Sequence, residues 1–456
     1  MTLTATTEQD ARRRRTVVWV VSLATFGLIF DGYDLVVYGV VVPIFLKDPS
    51  QLGEVTPAVA GTLGSYALLG MLFGALLAGS VGDILGRRRV MLTAYAWFSI
   101  GMLITALTST TTTFGVMRFL TGLGIGALIA TTGALVAEIA PPGKKNLCNA
   151  ITYSGVPLGS LLGALLAILL LDSIGWRGMF MIGALPIFTL LPLAVLKMPE
   201  SVSWLVARGQ IDKARAISER TGMPMPDIVP PSATAERAGF AGLFSRGFWF
   251  STVLVGIMSA AAQFLNYYLN TWLPALMERS GFNAKGSLAF LLVLSGGAIL
   301  GALTGSRFAD RFGPKPIVAS SFLIGAVSIA LLTLDLPLAV RLVFVAVVGL
   351  GTTGTSIMIY GLVANQFPTK MRGAAVAWAA GFGRLGGVSG PLLGGLLLAA
   401  GLTVNSSFYV LTGLALVGAI LTLMVPRAHR PIEIHLTPVE PTVPVGTGTS
   451  AGSPTT

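Results

Sequence analysis

Apolar stretches long enough to cross a bilayer recur along the whole chain, and this most restricts what it can fold into. About 20 apolar residues span the hydrocarbon core, and helices and closed barrels alone satisfy every backbone hydrogen bond there. Twelve such segments can be placed, at 16–46, 57–80, 89–108, 114–140, 146–171, 179–197, 247–277, 286–308, 316–334, 340–367, 373–400 and 406–425. Composition agrees: 54% of residues are hydrophobic and 11% charged, against about 25% charged in a soluble domain. The expected fold class is an all-α membrane protein of twelve transmembrane helices.

Basic residues avoid the apolar segments. With both ends on one side, 23 Lys and Arg fall in the loops and tails of that side and 5 (Lys47, Arg177, Arg279, Lys285 and Arg341) on the other. The richer side is expected to be cytoplasmic, here that of a bacterial inner membrane. The net charge of +11 has no aromatic interleaving, so lipid headgroups rather than nucleic acid are its expected counterpart. Arg12 to Arg15 before an apolar run imitates a secretory signal. The run is too long and lacks a small-residue cleavage site, so it is read as an uncleaved first helix. Cys148 is the one cysteine, which excludes an intramolecular disulfide and a CxxC metal site.

The organisation is in halves. A basic arm (1–15) leads into six segments (16–197), then a polar linker (198–246), six more segments (247–425) and a Pro/Thr/Gly/Ser-rich tail (426–456) expected to be disordered. Within the linker a short surface helix is expected at Ile211 to Glu219, and an irregular proline-rich stretch from Met223 to Pro231. "GSVGDILGRRRV" (79–90) follows the second segment and "GSRFADRFGPKPI" (305–317) the eighth. Both contain D-x-x-G with basic neighbours, so the two halves are read as pseudo-symmetric six-helix bundles. Duplicated halves typify transporters that bind substrate between them near the midplane.

Three motifs together resemble the major facilitator superfamily. They are Gly79, Asp83, Gly86, Arg88 and Arg89 after segment 2; "RFLTGLGIG" from Arg118 to Gly126; and Pro199-Glu200-Ser201 after segment 6. Two further motifs are similar to those of its aromatic acid:proton symporters: Asp31-Gly32-Tyr33-Asp34, and Gly381-Phe382-Gly383-Arg384-Leu385-Gly386. The resemblance implies proton-driven uptake of benzoate-type anions, with the two aspartates and Arg384 essential. "GVSGPLLGG" (387–395) resembles an antiporter motif but lies on segment 11 rather than segment 5, so it is not counted for antiport.

The residues support this reading on physical grounds. Asp31 and Asp34 are three apart and share a helix face, and burial together with a neighbouring like charge favours the protonated form of a carboxyl. They are candidate proton carriers, with Glu138 as a further coupling candidate; a structural role in bonding backbone or an arginine is the alternative. Histidine is excluded as carrier because His429 and His435 lie in the tail. Arg384 sits near mid-membrane, at a depth comparable to Asp31. Its guanidinium can fork onto a carboxylate, whether a substrate's or that of an aspartate in a fixed salt bridge. Gln263, Asn266, Tyr267 and Asn270 form a polar stripe on segment 7, and Thr352, Ser356 and Tyr360 another on segment 10; they would line a binding cavity or join helices. Arg118 is a candidate for substrate contact or for a structural pair. Asp83, Arg87 and Arg88, with Asp310 and Arg311, are expected to latch the halves in one state and release them in the other.

The expected function is proton-coupled symport of a small aromatic carboxylate such as benzoate or a hydroxybenzoate, by alternating access in a monomer. A symporter of a non-aromatic organic anion such as a sugar acid is the alternative, followed by a drug/proton antiporter. No nucleophile–base pair, metal cluster or phosphate loop is legible, so neither an enzyme nor a cofactor beyond the coupling proton is expected.

Overall fold

The computed structural model describes residues 2–141, 144–225 and 240–426, and these are helical throughout their ordered elements. In the first half, helices α1 (Thr2–Lys47), α2 (Pro57–Leu85), α3 (Arg87–Ala106) and α4 (Thr111–Ile139) are followed by α5 (Lys145–Tyr153) and α6 (Gly155–Ile182). A 3₁₀ turn at Leu185–Ile187 precedes α7 (Leu190–Lys197), and the linker carries α8 (Val202–Ala207) and α9 (Ile211–Thr221). The second half holds α10 (Trp249–Arg279), α11 (Ala284–Phe312), α12 (Pro314–Leu331), α13 (Leu338–Gly349), α14 (Thr355–Gln366), α15 (Thr369–Ala399) and α16 (Val404–Met424).

Among the described residues eleven helices are long and apolar enough to cross a membrane. The sixth expected segment is broken instead. Gly175, at φ 64°, turns the chain at the foot of α6, and helix resumes at Trp176 only to yield to the 3₁₀ turn around Pro186 and then to α7. Proline lacks the N–H that a continuous helix needs. The tenth segment is continuous but contains a π turn, Leu350–Gly354, between α13 and α14. The tail from 427 and residues 226–231 of the proline-rich stretch lie outside the described residues.

The two termini and the linker meet on one face, called here the terminal face. Arg12 donates to the Glu219 carbonyl at 3.3 Å and Thr16 to that of Thr221 at 3.2 Å, so α9 is tied to the start of α1. Four helices that start from the opposite, distal face are capped by side chains. Thr56, Thr110, Asn283 and Thr403 each accept from a backbone N–H in the first turn, which satisfies donors that would otherwise have no partner.

The sequence repeat is also a repeat of backbone. Gly86 ends α2 at φ 98°, ψ 149°, and Gly313 ends α11 at φ 87°, ψ 150°. Both are left-handed positions that favour glycine, and each is the fourth residue of its D-x-x-G motif.

Contacts between the halves concentrate toward the distal face. Gly39 on α1 abuts the backbone of Asn270 on α10, and Gly61 on α2 abuts Pro391 and Gly395 on α15. Ser65 donates to the Val388 carbonyl at 2.7 Å. Two ion pairs join the halves at this end: Lys47 with Glu278, and Lys285 with Asp172 at 2.9 Å. At the terminal face the ion pairs found among the described residues stay within one half. The cleft between the halves is therefore closed distally and opens toward the terminal face, where Tyr153 is exposed and Arg384 half-buried.

Candidate functional site

Asp31 and Asp34 lie on the inner face of α1, and both are buried. Gly32, between them, explains how α1 can cross α6 there. A side chain at this position would strike the Val156 carbonyl, and the Gly32 carbonyl accepts from Ser160 Oγ at 3.2 Å. The crossing fixes the pair of carboxylates in the protein interior rather than toward lipid, where a charge is costly.

The two acids have different surroundings. Asp34 is held by Arg118 of α4 in an ion pair whose side chains are 4% and 3% exposed. The Arg118 guanidinium also lies 5.0 Å from the Tyr38 ring centroid and 6.0 Å from that of Phe180, positions where aromatic faces attract a cation. Asp31 forms no ion pair within 4.0 Å among the described residues, nor does Arg384. These two do lie within electrostatic reach of each other, and Tyr153, Tyr267 and Tyr360 lie within the same reach of Arg384.

Arg384 reaches this place because α15 can press against α10. Gly386 abuts the Ala260 carbonyl, and Gly387 lies against the Tyr267 ring. Gln263, half-buried, contacts Gly383 next to the arginine. A cavity of about 30 Å³ lies over Asp31, Asp34, Arg118, Tyr38 and Tyr267. That is far below the roughly 300–1,000 Å³ of a ligand pocket, so this space takes water-sized groups, and a larger ligand would enter from the open side where Arg384, Tyr153 and Tyr360 stand.

The other expected residues divide. Asn266 and Asn270 bond each other: the Asn270 amide donates to the Asn266 carbonyl at 2.8 Å and to its Oδ1 at 3.0 Å. Thr353 donates to the same Oδ1 at 2.6 Å. On the expected stripe of segment 10, Thr352 instead donates to the Val348 carbonyl and Ser356 to that of Thr352. The π turn carries one extra residue per turn, which shifts the register and brings Thr353 to the asparagines.

Glu138 is remote from Asp31 and Arg384. It pairs with Arg87 at 3.4 Å and accepts from Ser201. Asp83 also pairs with Arg87, at 2.8 Å. Arg88 donates to the carbonyls of Met198 and Val195, both at 2.7 Å, while its N–H bonds Glu200. Trp204 of α8 and Arg208, just past its end, donate to the Asp83 carbonyl at 2.9 and 3.0 Å. In this conformation the segment 2–3 motif clamps the linker to its own half, and Asp310 and Arg311, both exposed, form no ion pair with it. Tyr38, Tyr153 and Thr353 were missed from sequence. Tyr38 is legible in retrospect, one helical turn beyond Asp34 on the same face.

Comparison with known proteins places these features. The sequence model of the Major Facilitator Superfamily matches residues 24–307 and 293–446. The benzoate transport protein of Acinetobacter baylyi is 32% identical over 429 residues, covering 91% of each chain. The gentisate transporter of Corynebacterium glutamicum is 32% identical over 419 residues, covering 91% of this chain and 88% of that one. The 4-hydroxybenzoate transporter of Acinetobacter baylyi is 28% identical, covering 83% and 85%. In fold the chain is similar to a crystal structure of a D-xylose-proton symporter, at TM-score 0.71 and 19% identity, covering 90% of this chain and 98% of that one. With its run of membrane-length apolar helices, its repeated D-x-x-G turns and its charged interior, this chain belongs to the Major Facilitator Superfamily of membrane transporters.

Proposed function

We propose that this protein takes up a small aromatic carboxylate together with a proton, by alternating access, in a bacterial cytoplasmic membrane with both termini inside. The carboxylate engages Arg384, and the proton binds Asp31. Three of the relatives are named for benzoate, gentisate and 4-hydroxybenzoate, and the terminal face is the one rich in Lys and Arg, as cytoplasmic faces are.

One observation carries the mechanism: of two buried acids and two arginines, Asp34 and Arg118 are mutually paired while Asp31 and Arg384 are not in direct contact. With all four ionised the cluster is neutral. An incoming carboxylate adds one negative charge, and an uncompensated charge is costly to enclose. A proton on Asp31 restores neutrality, so the halves can close over anion and proton together more readily than over the anion alone. No cofactor enters this scheme. Tyr153, Tyr267, Tyr360 and Gln263 stand around Arg384 and supply ring faces and hydrogen bonds for an aromatic acid. Asp83, Arg87, Arg88, Asp310 and Arg311 would come together when the terminal face closes. The external ion pairs would then open.

The test is uptake of radiolabelled benzoate and 4-hydroxybenzoate into proteoliposomes under an imposed inward proton gradient, with and without an uncoupler. Gradient-driven accumulation that collapses with the uncoupler and is lost in Arg384→Lys supports the proposal. Accumulation indifferent to the uncoupler counts against it.

A further inference from the structure

Beside the charged cluster lies a second cavity of about 30 Å³ between α1, α6, α10, α11 and the π turn. It shares Leu35 and Val156 with the cavity over the aspartates. No charged residue lines it. Its polar walls are Ser160, Asn266, Asn270, Ser295 and Thr353. Ser295 is 4% exposed, and its hydroxyl has no hydrogen-bond partner among the described residues. A buried hydroxyl without a partner is unfavourable by about 1–3 kcal/mol and marks a place where a partner is expected to arrive.

The asparagine network leaves complementary groups beside it. Asn270 spends its NH₂ on Asn266, and the Asn266 oxygen accepts from both Asn270 and Thr353. The Asn270 oxygen remains as acceptor and the Asn266 NH₂ as donor. Together with Ser295 they can serve a group that both donates and accepts.

The spacing from Arg384 fits an aromatic ring. Gln263 lies beside Gly383, and Asn266 and Asn270 follow three and seven residues along α10, about 4.5 and 10 Å further at 1.5 Å per residue. A carboxylate on Arg384 and a substituent on the far side of one benzene ring would bridge that interval.

We infer that this cavity is the subsite for a neutral hydrogen-bonding ring substituent, a phenolic hydroxyl, on the carboxylate that Arg384 anchors. The inference rests on the uptake of aromatic carboxylates proposed above. The volume suits a hydroxyl, since a water needs about 10–15 Å³. A second carboxylate is rejected because it would be enclosed with no cation beside it.

The experiment compares Michaelis constants for benzoate, 4-hydroxybenzoate and benzene-1,4-dicarboxylate in wild type, Ser295→Ala and Ser295→Cys. Wild type should favour 4-hydroxybenzoate over benzoate and refuse the dicarboxylate. Ser295→Ala should raise the ratio of the 4-hydroxybenzoate to the benzoate constant by about 3- to 10-fold, the worth of one hydrogen bond, with Ser295→Cys between. Benzoate uptake in the same vesicles reports that each variant is folded. An unchanged ratio in Ser295→Ala, or ready uptake of the dicarboxylate, overturns the subsite while leaving the uptake of aromatic acids standing. A wild type that moves none of these acids overturns both.

Discussion

Arg118 on α4 and Asp34 on α1 form an ion pair whose side chains are 3% and 4% exposed, and they do so one helical turn from Asp31, which has no such partner. That asymmetry separates the two acids by role. Asp34 is committed to an arginine that Tyr38 and Phe180 also surround, whereas Asp31 forms no ion pair among the described residues and lies within electrostatic reach of Arg384.

Removing one member of the buried pair strands the other. Arg118→Gln should cost about 3–5 kcal/mol, seen as a large drop in melting temperature in detergent. The double variant Asp34→Asn/Arg118→Gln should recover most of that loss. Equal losses in the single and double variants would mean the pair is not coupled in this way.

Gly32 should tolerate no side chain. In Gly32→Ala the new methyl meets the Val156 carbonyl, a backbone atom that cannot rotate away. The α1–α6 crossing would have to widen beside both aspartates, at about 1–3 kcal/mol. Yield of folded protein and gradient-driven uptake should fall together; a variant with wild-type melting and transport would refute this packing.

The two ion pairs at the distal face should bias the resting conformation. Each is at least partly exposed, and an exposed pair contributes about 0.2–1 kcal/mol. Glu278→Gln with Asp172→Asn should therefore shift the population severalfold toward a state open at the distal face. A cysteine placed at Ser65, in a chain with Cys148 replaced by serine, should then react faster with an impermeant maleimide from outside. Unaltered labelling would show that the distal closure rests on helix packing alone.

The all-α membrane fold could be read from apolar length, and the matching turns at Gly86 and Gly313 from the D-x-x-G repeat, because both are local in sequence. The pairing of charges could not. Asp34 and Arg118 are 84 positions apart, and only tertiary packing decides that Arg118 takes Asp34 rather than Asp31. The stripe on segment 10 differs at one end for a backbone reason: a regular 3.6-residue helix projects Thr352, Ser356 and Tyr360 together, and the π turn brings Thr353 rather than Thr352 to the asparagines. The turn at Gly175 falls in the expected gap between segments 5 and 6, whereas the break inside segment 6 turned on the 3₁₀ turn around Pro186. Glu138, a coupling candidate near the cytoplasmic end of segment 4, ends α4 at the terminal face, where Arg87 and Ser201 take up its carboxylate.

The role of Asp31 is the centre of this account, and one comparison tests it most directly. Wild type and Asp31→Asn would be reconstituted and assayed for two activities: accumulation of benzoate driven by an inward proton gradient, and exchange of external for internal benzoate without a gradient. The variant should retain exchange, because a neutral amide leaves the anion-loaded cluster without excess charge, and should lose gradient-driven accumulation. An Asp31→Asn protein that still concentrates benzoate in response to the proton gradient would place the coupling proton elsewhere.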